Sequence, residues 1–323
     1  MNRLLQRFLI IFVLPFVIFF VTKLRSQDFT YLTINPGIKS NAMGGAQTAI
    51  PDDYLSFYYN PAGLSKISQA TLGYSNTTYT SFSKIHLYFG GAAAKVNNWA
   101  VGFAIYHLSN DNIASSLRET SYQVTAAKKV SKHIRFGASA KYLHVKSPGF
   151  TLPGVSILKF SSSAFTGDVG LLIENILPQL TFLNGDRKKG IKQNDDGRGL
   201  SFGFSILNTG PDKILQDLGN PGKPLPQMLK LGLGYKSIQT KHFSMVVAFD
   251  LTKILRRERS DGISDGFFKA WFTSWKENRF DYLNIGADIR FLNLLSVYLG
   301  YDKHFNPLLD KSYTFTYGFG LNA

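Results

Sequence analysis

From residue 69 onward, polar and apolar residues alternate one for one through segments of about ten to fourteen residues. In one of them Ile134, Phe136, Ala138, Ala140 and Tyr142 share a parity, opposed by Arg135, Ser139 and Lys141. Leu229, Leu231, Leu233 and Tyr235 stand against Lys230, Gly232, Gly234 and Lys236, and Leu283, Ile285, Ala287, Ile289 and Phe291 against Asn284, Gly286, Asp288 and Arg290. Near the C-terminus Tyr313, Phe315, Tyr317, Phe319 and Leu321 oppose Thr314, Thr316, Gly318 and Gly320. Ile85, Leu87, Phe89 and Gly91 likewise oppose Lys84, His86 and Tyr88. A period of two with charge on one parity predicts strands with one wet face. A strand crossing a bilayer needs ~9–11 residues, more than the ~5–6 usual in globular sheets. The length therefore predicts a transmembrane antiparallel β-barrel, with the apolar parity facing lipid and the polar parity facing the lumen.

Twelve such segments are read directly: 69–82, 84–96, 98–109, 118–130, 133–146, 163–175, 199–208, 228–237, 241–253, 280–291, 293–302 and 312–322. Weaker candidates at 154–161 and 176–183 bring the expected total to fourteen. The connections after the second, fourth, eighth and tenth of these twelve segments are short, and the remainder are mostly long. Short turns at one end and long loops at the other are what an outer-membrane barrel shows. The tight turn at Ser83 and the long connection at 176–198 break that rule.

Two stretches do not alternate. Residues 1–26 carry Arg3 and Arg7, then an apolar run from Phe8 to Val21, then a small residue at Ser26. This is the layout of a secretory signal peptide; an uncleaved N-terminal anchor is the rival reading. Residues 27–68 are expected to form a hatch or plug ahead of the barrel, residues 69–323. Its core is dense in small, acidic and aromatic residues: Met43-Gly44-Gly45-Ala46, then Pro51-Asp52-Asp53, then Asn60-Pro61-Ala62-Gly63-Leu64. Paired glycines let backbone pass close to another surface, and Asn-Pro-Ala-Gly closes with a turn. Asp52 and Asp53, if partly buried, need basic partners; Lys141 and Arg290 on the wall are the expected ones.

Composition narrows the chemistry. The chain has 36 Lys and Arg against 21 Asp and Glu, and no Cys, so no disulfide or thiolate contributes. An exported basic chain meets anionic lipid head groups rather than nucleic acid. No enzymatic signature is present: the six histidines are scattered and none has metal-binding spacing, and Gly232-Leu-Gly234 and Asn220-Pro-Gly-Lys223 lack the residues of nucleotide loops. No catalytic residue, metal or cofactor is therefore expected. Phe267, Phe268, Trp271, Phe272 and Trp275 recur at near-helical spacing in a long connection, an aromatic segment suited to docking a partner or capping the barrel.

The Ser40–Leu64 stretch, with the motifs above, resembles the N-terminal motif of PorV/PorQ-type outer-membrane proteins, within a wider superfamily of FadL-like barrels. Leu207-Asn208-Thr209-Gly210-Pro211, Pro224-Leu225-Pro226, Asp250-Leu251-Thr252-Lys253 and Asp265-Gly266-Phe267-Phe268-Lys269 are similar to later parts of the PorV pattern. The resemblance implies a fourteen-stranded barrel with an N-terminal hatch in the outer membrane. It also implies a non-catalytic shuttle in type IX secretion, with the C-terminal domains of secreted cargo and the translocon barrel as partners beside the membrane lipid. The alternative is a FadL-like transporter of hydrophobic small molecules.

Overall fold

A computed structural model of the chain describes residues 30–79, 85–110, 118–147, 150–152, 155–157, 160–176, 199–210, 225–240, 242–257, 265–276, 279–292, 294–305 and 313–321. The expected signal peptide lies outside these residues. Twelve antiparallel strands form one sheet in which each hydrogen-bonds to the next along the chain. In the first half these are β1 (Ala70–Tyr79), β2 (Ile85–Val96), β3 (Trp99–Asn110), β4 (Arg118–Lys129) and β5 (Ile134–Ser147). A short hairpin, β6 (Phe150–Leu152) with β7 (Val155–Ile157), leads into β8 (Phe160–Ile173) and β9 (Gly199–Thr209). The sheet continues through β10 (Met228–Gln239), β11 (Phe243–Ile254), β12 (Tyr282–Phe291), β13 (Leu295–His304) and β14 (Tyr313–Leu321). Among the described residues no helix is long and apolar enough to cross a membrane.

All twelve alternating segments became strands of the sheet, of nine to fourteen residues. Among the described residues the sheet holds neither of the two extra strands of the fourteen-strand expectation. The 154–161 segment supplies β7 of the hairpin and the start of β8, while 176–183 lies almost wholly outside the described residues. Short turns follow β2, β4, β10 and β12; the long β8–β9 connection lies at that same end, and the other long connections lie at the opposite, loop-rich end. Asn97, at the β2–β3 turn, holds a φ of 57°, a left-handed conformation that Asn tolerates better than most residues.

The parity expectation holds on β5, β10, β12 and β14: Phe136, Leu233, Ile285 and Phe315 are exposed outward, while Lys141, Lys230 and Asp288 are buried on the inside. It reverses on β2. Leu87 and Phe89 are buried and face inward, so that parity is not a lipid face. The reason is what fills the lumen. Residues 30–67 run inside the curled sheet, and their aromatic side chains offer β2 and β3 an apolar partner. Tyr54 stacks on Phe89 at 5.8 Å between ring centroids, and Tyr58 meets Tyr106 edge-on at 5.8 Å. Half of the lumen is therefore apolar and packed, with Leu32, Leu55, Phe57 and Leu64 against Ala104, Leu143 and Val145.

Candidate functional site

The N-terminal segment folds as short pieces: helix α1 (Ile38–Ala42), helix α2 (Ser56–Tyr59) and a 3-10 turn, Pro61–Lys66. No piece is long enough to be stable alone, so the wall must hold it. Asp250 on β11 accepts backbone N–H bonds from Gln47 (2.9 Å) and Thr48 (2.8 Å). The Asn60 amide donates to Thr48 O (2.9 Å) and to Leu171 O on β8 (3.0 Å), while its oxygen accepts from Ala62 N (3.1 Å). Gln123 on β4 reaches Phe57 O at 2.8 Å, and Ser205 on β9 reaches Tyr59 O at 2.9 Å. Thr316 on β14 donates to Ala42 O at 3.1 Å. Five strands thus satisfy carbonyl and amide groups that so short a helical run leaves orphaned.

The same contacts explain the inward glycines. A Cβ on Gly300 would come within 2.1 Å of Gly44 N, and one on Gly203 within 2.1 Å of Thr48 O. These positions form a bare belt on the wall where backbone meets backbone. The Met43-Gly44-Gly45-Ala46 run lies against it, with Gly44 at φ 62° beside the Tyr301 backbone. Pro51 packs on Gly63, and Pro61 packs over Gly137 of β5 and Gly170 of β8. Met43, Ala46, Ala62 and Leu64 are fully buried.

Two ion clusters fix the segment at the short-turn end. Lys39 Nζ lies 3.1 Å from Asp52 and 3.7 Å from Asp53, and 4.0 Å from Asp288 of β12. Arg290 holds Asp288 at 2.7 Å and approaches Asp52 at 3.9 Å. The acid pair therefore has Lys39, from its own segment, as chief partner and Arg290 as a second. Lys141 is not a partner: it pairs with Asp168 (2.9 Å) and Asn208 (2.9 Å) deeper in the lumen. Burial alone would push the Asp52 carboxyl up, but Lys39, then Lys66 and Arg290, hold it below the ordinary carboxylate range. Asp53 is pushed up, chiefly by burial. Lys39 is raised despite burial, because Asp52 and Asp53 face it. In the second cluster Glu174 takes Lys66 at 3.1 Å and Arg135, whose guanidinium also reaches Ser65 O at 3.1 Å.

At the loop-rich end the segment stops short and leaves a chamber of about 520 Å³. Its walls come from Thr33 to Gly44 below and from β1, β10, β11, β12, β13 and β14 around. Asn284 bridges Gly44 O and Asp302 (2.8 Å), Asp302 holds His304 at 2.9 Å, and Tyr282 meets the His304 ring edge-on. A second space of about 520 Å³ lies between β1 and β14, backed by α1. Asn41, Thr77 and Thr316 line both spaces. Among the described residues β1 and β14 share no hydrogen-bonded ladder.

The aromatic segment forms helix α3 (Phe267–Thr273) at the loop-rich end. Trp271 donates to Gln227 (3.3 Å), Trp275 donates to Trp271 O (2.8 Å), and Lys253 sits over the Trp275 ring. Phe268 and Phe272, one turn apart, are exposed at 70% and 80%; the Phe267 side chain lies outside the described residues. Of the four described aromatics, Phe268 and Phe272 are thus left exposed while Trp271 bonds back to the barrel. Among the described residues no group of three or more His, Cys, Asp or Glu is placed to hold a metal. Neither the chamber nor the β1–β14 gap was visible in the sequence, because both are spaces left by packing. Thr77, Thr314 and Thr316 at inward positions of the edge strands were their trace.

No family model matches the sequence, and no curated protein matches it either. Solved structures do. The CymD monoaromatic hydrocarbon channel is 12% identical and superposes with a TM-score of 0.54, covering 88% of this chain and 88% of its own. The toluene transporter TbuX of Ralstonia pickettii (13%, TM-score 0.48, covering 83% of this chain and 86% of its own) is also similar. So is the toluene transporter TodX of Pseudomonas putida (12%, TM-score 0.48, covering 94% and 91%). The similarity to CymD shows the fold alone, that of an antiparallel β-barrel. The comparisons do not reach the PorV/PorQ family.

Proposed function

We propose that this protein is an outer-membrane barrel that takes up small molecules of apolar or amphiphilic character, with residues 30–67 as its plug. The observation that carries the reading is the 520 Å³ chamber resting on a plug that is clamped at the opposite end of the lumen. Its volume lies within the ~300–1,000 Å³ of small-molecule sites. CymD, described as a monoaromatic hydrocarbon channel, lends the substrate class. The test is uptake of radiolabelled toluene and dodecanoate by cells that carry or lack the protein. Faster uptake of either is expected in the carrying cells; equal rates would remove the proposal.

A second reading, the PorV/PorQ-type shuttle, is favoured by one feature, the two exposed phenylalanines of α3 on a helix tethered by Trp271 and Trp275. Exposed aromatics beside a fixed anchor suit transient docking of a protein. A pull-down from outer-membrane extract should then recover cargo with a C-terminal secretion domain or the translocon barrel. The double substitution Phe268→Ala, Phe272→Ala should lose them; recovery of neither partner by the unmodified protein counts against this role.

A further inference from the structure

We propose that the chamber and the β1–β14 gap together form one binding site for a single-chain amphiphile with an uncharged, hydroxyl-rich head. The head occupies the chamber and the chain lies in the gap. The inference rests on the small-molecule reading above and narrows its substrate class.

The chamber is wet. Five threonines (33, 77, 252, 314 and 316) and three asparagines (35, 41 and 284) line it. A hydrocarbon placed there would strip water from these groups and return no hydrogen bond. The charged groups nearby are already engaged: Lys230 lies over the Tyr58 and Tyr59 rings, at 5.6 and 5.1 Å, and Asp302 holds Asn284 and His304. The lining therefore asks for hydroxyls and not for a carboxylate or an ammonium. The Thr252 hydroxyl is buried without a hydrogen-bond partner among the described residues, and so adds an unanswered polar group to the same wall.

The gap has the opposite character toward the outside. Ile38 and Ala42 of α1 form its floor, and Phe315 and Tyr317 form one rim. Ile38 is 63% exposed although it belongs to the luminal segment, because the gap opens onto it. Leu72 on β1 and Tyr317 on β14, 85% and 76% exposed, continue the apolar surface outward. Asn41, Thr77 and Thr316 stand where the two spaces join. Among the described residues the edge strands also leave backbone N–H and C=O groups without a ladder, which a bilayer does not tolerate unsatisfied. Head-group hydroxyls at the junction can bond such groups; a bare hydrocarbon cannot. The polar-to-apolar sequence from chamber to gap thus matches one molecule with two ends.

The test uses the full chain in phosphatidylcholine nanodiscs and equilibrium dialysis of radiolabelled octyl glucoside below its micellar concentration, octanoate, glucose and p-xylene, with empty nanodiscs subtracted. Octyl glucoside should bind at least about tenfold more tightly than octanoate or glucose. Thr77→Val and Thr314→Val should each weaken it about three- to tenfold, the effect of one lost hydrogen bond. Ile38→Asp should weaken octyl glucoside and leave glucose unchanged. Heat-modifiable gel migration confirms that each variant is folded, and two separate threonine variants guard against loss of either one. Octanoate or glucose binding as tightly as octyl glucoside overturns the proposal. So does saturable p-xylene binding that the threonine variants leave intact, although that result leaves the transporter reading standing. Absence of protein-dependent binding by all four probes also overturns it; the uptake assay then decides separately whether the transporter reading falls with it.

Discussion

Asp250 shows at the scale of one residue how the wall holds the plug. It is fully buried in β11 and takes two amide protons from residues about two hundred positions away in the chain. Unmaking these bonds leaves two buried N–H groups unpaired, at a cost of ~1–3 kcal/mol each. Asp250→Ala should therefore loosen the Gln47–Thr48 turn by about 3 kcal/mol, read as roughly a hundredfold faster hydrogen exchange at those two amides. Barrel migration on a gel should not change. Gly300→Val should do the same by steric means, because its Cβ has no room beside Gly44. The Lys39–Asp52 pair adds a pH dependence. Asp52 is depressed in the fold, so its contribution is present above about pH 4 and fades as pH falls through its folded value. Lys39 is raised, so its contribution is present below about pH 10 and is lost only above that. The raised Asp53 subtracts from the first effect near neutrality. Proteolysis within residues 38–55 should accordingly be slow through the neutral range and speed up in acid, and Lys39→Met should abolish the acid step. The sequence pointed to the acids and to Arg290 but missed Lys39, because only the turns at Met43–Gly45 and Pro51 bring α1 back over Asp52.

Among the elements, the strands were legible and their sidedness only partly so. Alternation works as a signal when one face meets water or polar groups and the other meets something apolar, which holds for β5, β10, β12 and β14. On β2 both faces meet apolar matter, lipid outside and the plug aromatics inside. The pattern there marks a strand without saying which way it points. The glycines of β9, β10 and β13 carried the missing information. In a sequence they read as bends or points of close approach; in the fold they are the seat of the plug, since Gly203, Gly232 and Gly300 all face its backbone. The plug motif itself was legible because it is local, while its partners are scattered from Gln123 to Thr316. Helix α3 was legible as aromatic and helical. Its orientation was not, because Trp271 and Trp275 are held by Gln227 and Lys253, residues remote in sequence. Trp271 ties the helix to the barrel beneath it through its bond to Gln227, so Trp271→Phe should free the helix. Faster proteolytic cleavage near residues 265–276 is expected, with uptake by the barrel unaffected.

For the molecule as a whole, the question is how a twelve-stranded sheet ends. An open sheet edge facing lipid is costly, so β1 and β14 must close on each other or be covered by something else. In this structure α1 stands behind the gap, Thr316 bonds to Ala42 O, and the two edges share no ladder among the described residues. The absence of cysteine makes this directly testable. Disulfides form only when Cα atoms approach to ~4.4–6.8 Å. Thr77 and Leu87 face each other across β1 and β2, so Thr77→Cys with Leu87→Cys should cross-link under mild oxidation. Thr77→Cys with Thr316→Cys should stay reduced under the same conditions, because the gap lies between them. Rapid cross-linking of the second pair would mean that the sheet closes fully, and the lateral space would then be no place for an acyl chain. A pair that remains reduced alone but becomes protected from thiol reagents on addition of octyl glucoside would tie the open seam to the chamber. The last and first strands would then be the two lips of the site, and the plug's short first helix its floor.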